Sequence, residues 1–62
     1  MEYRVLVEGK ERILDNYVDV IDHIQTNVHF EVDEQDMANW LPQMYIREKF
    51  FMGDDCLIER IK

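Results

Sequence analysis

Seven carboxylates, Asp15, Asp19, Asp22, Glu31, Asp33, Glu34 and Asp36, stand between Arg12 and Arg47, a stretch with no lysine or arginine. The flanks hold seven further acids and all seven bases, 7 − 7 = 0, so the net charge of −7 belongs to the middle of the chain. A one-sign field of this kind repels nucleic acid and attracts basic surfaces. On a helix, Asp15 to Asp22 span about 10 Å, at roughly 1.5 Å per residue. Successive phosphates of one DNA strand lie about 3.4 Å apart, so three base steps cover a similar length. Carboxylates on one helical face thus have the spacing to imitate a short run of phosphates, and Glu31, Asp33, Glu34 and Asp36 extend that surface. The competing reading is a polar face that is simply solvated, although such faces usually mix both signs.

The remaining chemistry-bearing residues are few. His23, His29 and Cys56 are metal-ligand types, but a six-residue histidine spacing is not a helical i, i+4 pair and matches no zinc pattern. Asp54 and Asp55 beside Gly53 lack the alternating oxygens of a calcium loop. No metal or cofactor is expected. Cys56 is the only cysteine, which rules out an internal disulfide and fits a reducing, cytoplasmic compartment. The two neighbouring aspartates disfavour its thiolate. There is no serine, and Thr26 is the only threonine, so serine-nucleophile chemistry is excluded. A chain of 62 residues also has little capacity for a pocket of several hundred cubic ångströms. The expectation is a protein that is not an enzyme.

These residues must be positioned by a single small domain spanning 1–62, which buries only about 60% of its unfolded surface. Residues 2–8 alternate, with Tyr3, Val5 and Val7 on one face, and predict a strand. Gly9-Lys10 gives a turn, after which Glu11–Leu14 pair back. From Asp15 the period changes: Tyr17, Val20, Ile21, Ile24 and Val28 fall on one side of a helical wheel, with Asp15, Asp19 and Asp22 opposite. Asp15 is placed at the N-cap or in the first turn, and Val18 lies off the buried face. Asn27 ends the helix.

Val28, Phe30 and Val32 predict a short strand or an extended connector. Asp33 caps a second helix, stripe Met37, Trp40, Leu41 and Met44, which Pro42 cuts short near Leu41. Residues 43–62 predict a hairpin, with a strand within Gln43–Met52, a turn at Gly53-Asp54-Asp55 and a return through Cys56–Ile61. The fold class is α+β. An antiparallel sheet, built from an N-terminal strand or hairpin and a C-terminal hairpin, carries two short helices on one face.

Direct nucleic-acid binding is excluded, because acids outnumber bases 14 to 7 and no aromatic–basic platform appears. No segment reaches the roughly 18 apolar residues of a membrane span, and the apolar start is too short for a signal peptide. The expected function is a small acidic protein-binding module. It would be an inhibitor or regulator that mimics DNA or RNA in the basic groove of a nucleic-acid-binding protein, as a viral or mobile-element antagonist would. The alternative is an assembly protein. Phe50 and Phe51 must point to opposite faces of a strand, so one of them, with Tyr45, is available for a homodimer or subunit contact. The expected partner-binding residues are the seven acids, Tyr45 and Phe51.

Overall fold

The computed structural model describes all 62 residues. Alternation places Tyr3, Val5 and Val7 of β1 (Tyr3–Val7) inside, and β1 pairs antiparallel with β2 (Lys10–Leu14). Their connection is Glu8-Gly9, with φ of 50° and 80°, and Val7 opposes Lys10. Two positive φ values mark a type I′ hairpin turn, whose twist matches the strands it joins. The turn therefore falls one residue earlier than Gly9-Lys10, because Lys10 already belongs to the ladder.

Helix α1 (Tyr17–Asn27) buries Val20 and Ile24, with Tyr17, Ile21 and Val28 half-buried beside them and Val18 exposed. Its N-cap is Asn16, whose Oδ1 accepts the Asp19 N–H at 2.9 Å. Asp15 precedes the cap and is not helical, which corrects its expected place. Asparagine is at least as good a cap as aspartate, and β2 runs to Leu14, so the chain turns one residue later. Residues 28–33 are a connector that bends at His29-Phe30 and has no ladder partner.

Asp33 caps α2 (Glu34–Trp40), its Oδ1 accepting the Asp36 N–H at 3.1 Å. Pro42 sits inside a 3-10 turn, Leu41–Gln43, where its missing N–H costs nothing. The following strand is shorter than expected. Only β3 (Lys49–Phe51) pairs with β4 (Cys56–Arg60) in regular register. Tyr45–Glu48 instead form a turn, the Glu48 N–H donating to the Tyr45 C=O at 3.0 Å. Arg47, at φ 78°, and Glu48 together oppose Arg60 in a bulge.

The antiparallel sheet has the order β2-β1-β4-β3. Tyr3, Val5, Val7, Cys56 and Ile58 form one core with Val20, Ile24, Met37, Leu41 and Met44 of the helical layer. The Tyr3 hydroxyl donates to the Leu41 C=O at 2.8 Å, tying the sheet to the end of α2. The other face has no helix over it. There Leu6 opposes Leu57, which opposes Phe51, and Arg4 opposes Glu59, which opposes Lys49. Arg4 bonds both Glu11, at 2.9 Å, and the buried Glu59, at 3.0 Å. No helix is long and apolar enough to cross a membrane.

Candidate functional site

All seven carboxylates of the base-free stretch are exposed, and none of them forms an ion pair. The Asp19 carboxylate accepts from the Asn16 side-chain amide, Asp33 caps α2, and Glu34 accepts a hydrogen bond from the Gln25 side-chain amide, which ties α1 to α2. The carboxylates of Asp15, Asp22, Glu31 and Asp36 have no hydrogen-bond partner within the chain. Why the layer is acidic is partly local. Acids favour helix N-termini, where the exposed N–H groups and the macrodipole stabilise them, and α2 begins with Asp33, Glu34 and Asp36. That accounts for the second group of acids. It does not account for Asp22, in the middle of α1, or for Glu31, which precedes the α2 cap.

The structure gathers part of the set around a groove between α1 and α2. Tyr17, Val18, Ile21 and Ala38 supply its apolar surface, Asp22 and Glu34 its charge, and its volume is about 480 Å³. Gln25 lines this groove and also the neighbouring one that contains Glu31. Apolar surface with anionic walls suits the aliphatic stem and cationic head of lysine or arginine. Asp19 and Asp22 also line a second groove, against β2, together with Arg12 and His23. A stretch free of bases along the sequence is thus bordered by a base in space. Asp15 lies outside the helix, so the three-carboxylate ladder on one helical face reduces to Asp19 and Asp22.

Tyr45 and Phe51 do not share one patch. Tyr45, 79% exposed, lies in the turn before β3 and borders a groove with Trp40 and Phe50. Phe51, 70% exposed, stands on the helix-free face of the sheet. Phe50 takes the opposite side and stacks on Trp40, ring centroids 4.2 Å apart. Sequence alternation separates the two phenylalanines, but only the landing point of α2 decides which is covered.

The metal-ligand types are scattered. His29 and Cys56 line one small cleft with Glu8, Asp54 and Asp55, while His23 lines a different groove with Arg12. His29 Nε2 is 3.3 Å from Glu8 Oε1, and no three such side chains converge to hold an ion. Burial pushes the Cys56 thiol pKa up, which keeps it protonated and weakly nucleophilic. Burial pushes the His23 pKa down, Arg12 acts in the same direction and Asp22 opposes them. What the arrangement offers is a shaped, anionic surface.

No protein-family model matches the chain, and no curated protein or solved structure is significantly similar to it.

Proposed function

We propose that this is a cytoplasmic, non-enzymatic binding module whose acidic helical layer occupies the basic groove of a nucleic-acid-binding protein. The observation that carries the proposal is the state of the seven carboxylates: all exposed, none ion-paired, with Asp22 and Glu34 flanking an apolar groove. Charges kept for solubility alone are usually interspersed with the opposite sign. Like charges three or four residues apart on a helix also cost stability, about 0.2–0.5 kcal/mol per pair. A basic groove supplies the missing countercharge. A groove evolved for phosphates is the natural match, since it presents several cations to a line of anions. Occupying that groove blocks nucleic acid, which makes the module an inhibitor or regulator of the kind a virus or mobile element deploys. A single free cysteine, Cys56, fits a reducing compartment.

The test is capture of nucleic-acid-binding proteins from host lysate on the immobilised chain, followed by elution with DNA or RNA. Retained proteins should be displaced by the polyanion and should be lost when Asp22→Asn, Glu34→Gln and Asp36→Asn are combined. Retention that the polyanion does not disturb contradicts the proposal.

A further inference from the structure

The free edge of β3 presents backbone groups with no partner. Arg60 N–H donates to the Glu48 C=O at 3.1 Å, and Met52 N–H donates to the Cys56 C=O at 2.8 Å. Phe50 opposes Ile58 between them. By the alternation of an antiparallel ladder, residues 48, 50 and 52 aim their backbone groups at β4, and Lys49 and Phe51 aim theirs outward. The opposite edge, β2, is guarded by Lys10, Glu11 and Arg12 in succession, a common defence against strand addition. On β3 the only such charge is Lys49, flanked by Phe50, 43% exposed, and Phe51, 70% exposed.

We propose that two copies of this chain pair antiparallel through β3 about a two-fold axis at Phe50, joining their sheets into one. In this register Lys49 of each copy opposes Phe51 of the other, and all the outward N–H and C=O groups of β3 are satisfied. Phe50 meets its own equivalent at a non-hydrogen-bonded site, where Cα atoms approach to about 4.5 Å. On the helix side the two Trp40–Phe50 stacks then adjoin, a favourable cross-strand aromatic arrangement. On the other face each Lys49 ammonium lies beside a Phe51 ring, which turns the guarding charge into a cation–π contact. Centring the axis on Lys49 would set two ammonium groups against each other. Centring it on Phe51 would leave the outward groups of Lys49 opposite Gly53, beyond the strand.

Charge also favours a second copy at this edge. Residues 47–62 hold Arg47, Lys49, Arg60 and Lys62 against Glu48, Asp54, Asp55 and Glu59, 4 − 4 = 0. Two chains of net charge −7 therefore meet where the local charge cancels, with the uncompensated acids on the helices and their flanking loops. The inference is independent of what that layer binds.

Sedimentation of the wild-type chain from micromolar to millimolar concentration should show a reversible monomer–dimer equilibrium. Hydrogen exchange at the Lys49 and Phe51 amides should slow as the dimer forms, while the Glu11 and Ile13 amides on the other edge do not. Phe51→Pro removes an N–H that β4 does not use, so the fold should persist while the dimer constant weakens at least about tenfold. In a Cys56→Ala background, mild oxidation should cross-link Phe50→Cys faster than Phe51→Cys, because non-hydrogen-bonded pairs bring Cβ atoms within disulfide reach. A chain monomeric throughout, concentration-independent exchange at Lys49 and Phe51, or faster cross-linking at position 51 overturns the proposal.

Discussion

Tyr3 shows how a single side chain joins two layers. Its ring is fully enclosed and its hydroxyl reaches the Leu41 C=O at the end of α2. Tyr3→Phe removes that bond and leaves the Leu41 C=O with only the Met44 N–H, at 3.2 Å, so it should cost about 1 kcal/mol. For a domain whose core rarely supplies more than roughly 3–5 kcal/mol, this is a large share. Urea unfolding of the variant checks it, and an unchanged midpoint would place the bond outside the energetics of the fold. His23 makes a second prediction at this scale. Burial lowers its folded pKa, so near pH 6.5, the ordinary histidine value, the unfolded chain takes up the proton first. Stability should therefore fall as pH drops from 7.5 to about 5.5, and His23→Gln should remove part of that fall. An identical pH dependence in both chains would contradict the assignment. Alternation in the sequence was enough to place Tyr3, Val5 and Val7 together and to divide Phe50 from Phe51. The hydroxyl's partner was not legible, because Leu41 is 38 residues away and its carbonyl direction depends on the 3-10 turn around Pro42.

Among the elements, α1 gives the sharpest contrast between two adjacent residues. Asn16 accepts the Asp19 N–H and Asp15 accepts nothing, so Asn16→Ala should cost about 1 kcal/mol. Asp15→Ala should leave stability nearly unchanged, and equal effects in urea titrations would show the cap to be misplaced. Sequence period identified the helix, because Tyr17, Val20, Ile21 and Ile24 repeat at the proper spacing. It could not choose between two competent caps in a row. The C-terminal hairpin shows a different limit. Gln43–Met52 has strand composition, yet Tyr45–Glu48 turn and bulge instead. The positive φ falls on Arg47, where glycine or asparagine would ordinarily announce it. A turn that lacks its usual residue leaves no local mark, and the bonds that hold it are tertiary. Arg60 supplies them, through its backbone to Arg47 and Glu48 and through its guanidinium to the Met44 C=O.

At the scale of the whole molecule, uncompensated negative charge is segregated from the sheet. The helices and the loops that flank them carry seven exposed carboxylates, and the sheet carries the ion pairs of Arg4, the half-buried Leu6 and Leu57 and the exposed Phe51. The charge asymmetry was legible in the sequence, since it needs only residue counts. Its arrangement was not. Folding brings Asp22 opposite Glu34 across a groove and sets Arg12 beside Asp19, and neither juxtaposition follows from spacing along the chain. A surface of this kind should bind quickly and lose affinity with salt, because exposed charges are screened beyond roughly 8–10 Å at physiological ionic strength.

The most direct test is competition on a captured nucleic-acid-binding protein. Its labelled DNA or RNA is displaced by the acidic chain, and the anisotropy is followed at about 50 and about 300 mM salt. Full displacement is expected at low salt, with affinity at least about tenfold weaker at high salt and little displacement by the combined Asp22→Asn, Glu34→Gln and Asp36→Asn chain. Binding that leaves the nucleic acid in place, or that neither salt nor the substitutions weaken, would contradict the proposal.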